Sequence, residues 1–212
     1  MYTMNLNLKT GDILLCSSGP RERWPLSWFS YLIKLYTHSP YSHVAMVLVD
    51  PSFIHPALKG TFVWESSNGS TPDPQDNKKK LGVRITPLAD FLNSYKVQGG
   101  RVVVRHINCP PDTFSPEKLE TIHDTVYGKP YDLNLKDWLT ALLPLENNEP
   151  TISRFWCSAL VGYIYTKCDL LDPFTNWSFL RPVDFSVESE NLNFVDESES
   201  LSAEQPIDFF FL

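Results

Sequence analysis

A cysteine, a histidine and a glutamate in this sequence have the side chains of a thiol-nucleophile site. Cys157 lies in the apolar run 155–161, and His43 begins a strand-like apolar run. Glu65 is the one acid in a third such run, residues 62–67. In such sites a cysteine attacks, a histidine acts as its base and a carboxylate orients the histidine. We therefore take Cys157, His43 and Glu65 as the candidate catalytic residues.

Cys157 lies on the apolar face of a predicted helix, residues 154–168. That face consists of Cys157, Leu160, Val161, Ile164 and Cys168. The pattern equally suits a cysteine that is simply buried in the core. However, Thr151 or Ser153 could cap this helix and place Cys157 near its N-terminal end, where backbone N–H groups lower a thiol's pKa and stabilise an oxyanion. On its own helix alone, the two interpretations of Cys157 are balanced.

His43 and Glu65 also have structural interpretations. A histidine at the start of an apolar strand is usually a hydrogen-bonded core residue, and a lone strand acid can face solvent at a sheet edge. A catalytic base, however, must be held rigidly near its nucleophile, and a strand end does this. A carboxylate beside a residue as bulky as Trp64 needs a partner to stay ionised. An imidazole N–H is a suitable partner, and the bond would fix the histidine tautomer.

The length and composition favour a single soluble domain. A chain of 212 residues buries a sizeable core without disulfides. No run reaches the roughly 18 continuous apolar residues of a membrane helix. Residues 1–8 have neither the basic start nor the apolar core of a signal peptide. We therefore expect a cytoplasmic protein with no transmembrane segment.

The cysteines and glycines give no sign of a cofactor or metal. The four cysteines are widely and irregularly spaced, without a CxxC pair, which disfavours a disulfide framework and a zinc site. There is no Walker or GxGxxG motif. We therefore predict that the protein uses no cofactor and no metal.

The charge is concentrated at the C-terminus. The formal net charge is −7, and residues 187–212 contain 7 of the 25 acids and no base, which leaves 18 acids against 18 bases in the rest. A neutral body without a basic stripe argues against nucleic acid as a partner. The acidic, serine-rich composition predicts a flexible tail over 187–212 after a domain over 1–186. The apolar end of this tail, residues 209–212, could hold a protein partner.

Strands and helices alternate irregularly along the domain, which indicates an α+β protein. The predicted strands are residues 13–16, 44–49, 61–66, 82–85 and 101–107. The predicted helices are residues 28–36, 87–95, 115–127 and 135–143, in addition to 154–168. Ser115 followed by Pro116 is a typical helix start. Residues 67–80 form a polar loop, and we expect its three consecutive lysines, residues 78–80, to be solvated.

Five short motifs together resemble a known family. They are Gly11-Asp12-Ile13-Leu14-Leu15, Ser42-His43-Val44-Ala45, Trp64-Glu65-Ser66, Gly128-Lys129-Pro130-Tyr131-Asp132 and Phe155-Trp156-Cys157-Ser158. In this order they resemble the circularly permuted papain-like (NlpC-type) thiol hydrolases over roughly residues 8–185. The resemblance is to the YiiX/YebB-like branch, which is similar to poxviral G6-type proteins and, more distantly, to lecithin:retinol acyltransferase-like enzymes. A viral or a host-cell origin is compatible with it.

The resemblance implies a fold and an activity. The fold would be a small antiparallel sheet or partial barrel packed against helices, carrying a His43, Glu65 and Cys157 triad. The activity would be hydrolysis or acyl transfer at an amide, ester or thioester bond of a peptide-type or lipid substrate. The polar insertion at 70–80 and the acidic tail depart from the family, and we expect both to lie outside the site. The alternative is a catalytically silent protein on the same fold, binding a partner through its acidic tail and terminal phenylalanines.

Overall fold

The chain folds as an α+β protein in which an antiparallel sheet packs against helices. The computed structural model describes residues 7–21, 39–69, 71–131, 155–189 and 191–209. The strands are β1 (Ile13–Ser17), β2 (His43–Val49), β3 (Thr61–Asn68), β4 (Leu81–Pro87), β5 (Arg101–Arg105), β6 (Ile107–Asn108), β7 (Ser200–Leu201) and β8 (Gln205–Pro206). The α-helices are α1 (Leu88–Gln98), α2 (Pro116–Val126) and α3 (Cys157–Lys167), and short 3-10 helices cover Trp177–Phe179 and Pro182–Phe185. The α+β prediction is confirmed.

The main sheet is buried on both faces. Its strand order is β4-β3-β2-β1-β5-β8, and every neighbouring pair is antiparallel. Helices α2 and α3 share a core with one face, and α1 packs against the other. This double coverage explains why β2 is apolar from Val44 to Val49 and does not alternate with polar residues. None of the helices in the described ranges combines the length and apolarity needed to cross a membrane.

Most predicted elements occur where the sequence places them, with two changes of boundary. The Ser115 side chain accepts a hydrogen bond from the Lys118 N–H at 3.4 Å and caps α2, as predicted. The helix expected from residue 154 begins instead at Cys157. The strand expected over 101–107 breaks at His106, whose Nδ1 lies 2.8 Å from Oδ2 of the buried Asp12. The helices predicted at 28–36 and 135–143, and the caps predicted at 151 and 153, lie outside the described residues.

The C-terminal segment, which composition predicts to be a flexible tail, packs on the sheet within the described residues 191–209. Strand β8 pairs with the sheet edge at β5, and β7 pairs with β6. The side chains of Leu201 and Ile207 are buried. Arg105 donates hydrogen bonds to the carbonyl oxygens of Phe185, Leu201 and Ser202 at 2.7, 3.0 and 2.6 Å. A few apolar side chains and backbone pairing therefore order an acidic segment that composition alone marks as disordered.

The polar loop between β3 and β4 is also more structured than predicted. Asp73 is completely buried, and its carboxylate accepts hydrogen bonds from the N–H groups of Gln75 and Ile85 at 2.9 and 3.1 Å. Lys80 lies 3.1 Å from Asp73 and 3.0 Å from Asp76. Lys80 is therefore held by two carboxylates and only partly exposed, whereas Lys78 and Lys79 are exposed as expected.

Candidate active site

The candidate site forms where strands β2 and β3 separate. Their pairing ends at Met46 and Trp64, whereas β3 stays paired with β4 as far as Asn68. Successive N–H groups of an antiparallel strand point alternately to its two neighbours. The Val47 N–H donates to the Asp12 carbonyl on the β1 side. The Val44 N–H, three residues earlier, therefore faces β3. With no β3 partner there, this N–H is available to the thiol of Cys157 and lowers its pKa. The opening between the two strands therefore receives the start of α3.

Two contacts hold the start of α3 in this opening. The hydroxyl of the fully buried Ser66, on β3, donates to the carbonyl oxygen of Phe155 at 2.6 Å. The Phe155 N–H donates to the carbonyl of Pro130 at 3.2 Å, and Pro130 in turn bridges to Gly82 at the start of β4. Position 82 must be glycine, because its φ is +137° and an added Cβ would lie 2.2 Å from the Lys129 carbonyl oxygen. The motif at residues 128–132 thus fixes the position of Phe155, two residues before Cys157.

Cys157 is the first residue of α3, closer to the helix N-terminus than the sequence prediction put it. Its thiol is nearly buried, with 3% of the residue exposed. The thiol interacts with the His43 imidazole and with the N–H groups of Val44 and Ser158. Two backbone N–H donors and the positive end of the helix are the surroundings that favour a thiolate over a thiol.

His43 and Glu65 form a directly hydrogen-bonded pair. The distance between His43 Nε2 and Glu65 Oε2 is 2.9 Å. Because Nε2 donates to the carboxylate, the other ring nitrogen, Nδ1, is left for the cysteine. The structure therefore brings together all three candidate residues of the sequence analysis, in the order Glu65, His43, Cys157.

The charges of the three residues stabilise one another. Burial alone would raise the pKa of Cys157, but the charge and hydrogen bond of His43 and the two backbone N–H groups lower it below its ordinary value. Burial alone would lower the pKa of His43, but Cys157 and then Glu65 outweigh it and raise this pKa to about 10. The two pKa values move in opposite directions, and this favours the thiolate–imidazolium form of the pair over the neutral form.

The pKa values of the other three cysteines are raised and not lowered. Burial raises the pKa of Cys16 and of Cys109, and it raises the pKa of Cys168 to about 12. All four cysteines are free thiols. Cys157 is thus the only one whose pKa is lowered, which separates it from Cys168 on the same helix face.

Two residues behind Glu65 were not identified from the sequence. The Thr86 hydroxyl donates to Glu65 Oε1 at 2.7 Å, and Arg84 Nε lies 4.0 Å from the same oxygen. Both come from β4, where they alternate with the apolar Val83 and Ile85. This alternation could have identified them from the sequence, because it puts Arg84 and Thr86 on one face of β4. Strand β4 pairs with β3, which carries Glu65.

The described residues contain no cluster of side chains suited to binding a metal ion. Within the described ranges, no three His, Cys, Asp or Glu side chains are grouped so that they could hold a metal ion. The chemistry that this site offers is that of a nucleophilic thiol, a proton carrier and a carboxylate.

No protein-family model matches the chain, and no curated protein is significantly similar to it in sequence. The resemblance to the permuted papain-like hydrolases therefore remains a prediction based on its five motifs.

Proposed function

We propose that this protein is a cysteine-nucleophile hydrolase or acyltransferase of the circularly permuted papain-like class. The observation that carries the proposal is the continuous chain of contacts from Glu65 through His43 to a thiol at a helix N-terminus. A buried histidine or cysteine with only a structural role does not need a thiolate–imidazolium pair, which has to be stabilised against burial.

The proposed first step forms an acyl-enzyme. The Cys157 thiolate attacks the carbonyl carbon of the substrate, and a bond forms between Sγ and that carbon. The charge moves to the carbonyl oxygen, where the backbone N–H of Cys157 supplies part of the stabilisation. The His43 imidazolium gives its Nδ1 proton to the departing nitrogen, oxygen or sulfur as the bond to the leaving group breaks.

The proposed second step releases the acyl group. Neutral His43 takes a proton from water or from an acceptor hydroxyl or amine, which attacks the thioester carbon. The bond to Sγ breaks and the thiolate and imidazolium are restored. Water as the attacking group gives a hydrolase, and another acceptor gives an acyltransferase. Glu65 stays ionised throughout and keeps the ring of His43 in one orientation.

The test is to trap the acyl group on Cys157. The intact chain would be mixed with the p-nitrophenyl esters of butyrate and palmitate and with a p-nitroanilide peptide, and its mass measured after acid quenching. We expect a stoichiometric acyl adduct on Cys157 with at least one class, which also distinguishes lipid from peptide substrates.

Three variants decide the roles in this test. Cys157→Ala should abolish the adduct, and His43→Asn should slow its formation by about 10² or more, since a positioned base contributes about 10²–10⁴. Glu65→Gln should slow it less, by about 10-fold or more, because it acts through His43. Cys109→Ala serves as the matched control and should behave like the wild type. An adduct that persists in Cys157→Ala, or none with any substrate class, would favour the catalytically silent interaction protein.

A further inference from the structure

A buried arginine and a buried threonine converge on the oxygen of Glu65 that does not face the histidine. Thr86 Oγ1 lies 2.7 Å and Arg84 Nε 4.0 Å from Glu65 Oε1, while Oε2 lies 2.9 Å from His43. The two oxygens of one carboxylate are therefore divided between two groups of partners. The guanidinium of Arg84 therefore places a positive charge behind the carboxylate.

The arginine is sealed from water by the loop that follows β3. Arg84 is 0% exposed, and its Nη2 donates to the carbonyl and hydroxyl oxygens of Thr71 at 2.7 and 3.1 Å. Any side chain at position 69 would collide with the guanidinium, since an added Cβ would lie 1.1 Å from Nη1. The polar insertion was expected to lie outside the site, but it reaches Glu65 through this arginine.

Two of the three guanidinium nitrogens of Arg84 make no hydrogen bond within the described part of the chain. Neither Nε nor Nη1 of Arg84 has a hydrogen-bond partner among the described residues. Buried N–H donors are nearly always paired, because leaving them unpaired is unfavourable. Among the residues that the structure describes, the one charged side chain within 4.0 Å of this guanidinium is that of Glu65.

We propose that Arg84 and Thr86 are positioning residues of the site, which hold Glu65 Oε1 so that Oε2 remains a carboxylate oxygen directed at His43. The inference rests on the proposed function, because it assigns these residues a role in the Glu65–His43–Cys157 chain. Burial raises the pKa of Glu65, and His43, Thr86 and Arg84 in turn lower it. Thr86 and Arg84 do so independently of the histidine, and therefore favour the carboxylate also when His43 is neutral during the second step.

The test measures how fast iodoacetamide alkylates Cys157 in the intact chain between pH 4 and 9, by mass spectrometry of the Cys157 peptide. In the wild type the rate should rise with a midpoint below that of an ordinary thiol. Thr86→Val removes the hydroxyl at nearly constant shape, and Thr86→Ser retains it. We expect the midpoint of Thr86→Val to move to higher pH by roughly half a unit or more, a change equivalent to a weakened charge interaction. Thr86→Ser should stay at the wild-type midpoint.

Arg84 is tested with the same measurement. Arg84→Met should move the midpoint upward by roughly half a unit or more, because loss of the guanidinium raises the pKa of Glu65 and weakens its support of the His43 imidazolium. Arg84→Lys should restore part of the shift. Arg101→Met removes a positive charge from the exposed start of β5 and should leave the midpoint unchanged. If Arg84→Met does not fold, the Thr86 pair and Arg84→Lys still give the answer.

The outcomes separate this inference from the proposed function. A merely structural role for Arg84 and Thr86 would lower thermal stability or the fraction of active protein without moving the midpoint, and that result would overturn the inference alone. If wild-type Cys157 itself has the midpoint of an ordinary thiol, the thiolate–imidazolium pair is absent and the proposed function fails. A shift in both Arg84→Met and Thr86→Val, with recovery in the conservative variants, would establish the positioning role.

Discussion

At the scale of single residues, the decisive feature is that Cys157 and His43, both nearly buried, shift each other's pKa in the directions that favour their charged forms. Each charge would be unfavourable there on its own. The thiolate is stabilised by the imidazolium and two N–H groups, and the imidazolium by the thiolate and Glu65. The pair is therefore interdependent, and removing one member should change the titration of the other.

This interdependence predicts the pH dependence of alkylation. Because the pKa of Cys157 is lowered and that of Cys109 is raised, Cys157 should react faster with iodoacetamide at pH 6 although Cys109 is more exposed. The ratio of the two rates should shrink as the pH rises toward 9. His43→Asn should move the Cys157 midpoint up to or beyond the value of about 8.5 for a free thiol. Equal rates at pH 6 in the wild type would contradict the assignment of a thiolate.

At alkaline pH, the rate of alkylation and the rate of acyl transfer should depend differently on pH. The pKa of His43 is raised to about 10, so the imidazolium loses its proton as the pH rises through that value. Cys157 remains a thiolate there and alkylation should continue. Formation of the acyl adduct from the peptide p-nitroanilide should fall, because a nitrogen leaving group needs the proton. Parallel pH profiles for the two reactions would contradict the role of His43 as proton donor.

At the scale of elements, the nucleophile is placed by the opening between β2 and β3. The Val44 N–H is available to the thiol only because β3 has left β2 at that point. The contact from Ser66 to the Phe155 carbonyl then fixes the chain two residues before Cys157. The position of the thiol thus depends on β3 as well as on its own helix.

Removing the Ser66 hydroxyl should loosen this placement. Ser66→Ala leaves the Phe155 carbonyl without its buried donor, which costs about 1–3 kcal/mol of unfolding free energy. It should also slow acyl-adduct formation by up to about 10², as expected for a displacement of the nucleophile. Ser94→Ala is a matched control, since its hydroxyl donates to the Phe91 carbonyl at 2.7 Å within α1. Urea unfolding and adduct kinetics measure the two effects, and equal behaviour of both variants would rule out the placement role.

At the scale of the whole molecule, the C-terminal segment completes the sheet on the side away from β4. Arg105 binds three carbonyl oxygens of residues 185–202, and Ile207 enters the core on the α1 face. Glu204 accepts hydrogen bonds from the Tyr41 hydroxyl and the Val187 N–H. Since Tyr41 lies two residues before His43, this segment also supports the entry into β2.

Loss of this docking should destabilise the protein. Arg105→Met removes three hydrogen bonds from a charged donor, and we expect a decrease of about 2–4 kcal/mol in the unfolding free energy. Deletion of residues 187–212 should be more severe, because it also uncovers the β5 edge and the sites of Leu201 and Ile207, about 2 kcal/mol for each side chain. Arg101→Met on the same strand is the control. A truncated chain as stable as the full one would mean that the segment is the independent tail that composition suggests.

The sequence by itself determined the elements and the three candidate residues. Apolar runs and their period identified β1 to β5, and the Ser115-Pro116 signal identified α2, because local patterns report burial and capping directly. Cys157, His43 and Glu65 could be selected because their residue types are unusual in apolar runs. The sequence could not decide between a nucleophile and a core thiol, since that choice depends on neighbours more than 90 residues away.

Only the tertiary structure decided how these residues meet. Where β2 and β3 part, which N–H groups reach the thiol, and how Arg84 and Thr86 approach Glu65 all depend on strand pairing between distant parts of the chain. The packing of residues 191–209 is a second example. It depends on strand pairing at a sheet edge and on a few buried side chains, which the average composition of the segment does not reveal. Local sequence sets the tendency of each segment, whereas long-range pairing sets the distances on which a charge interaction depends.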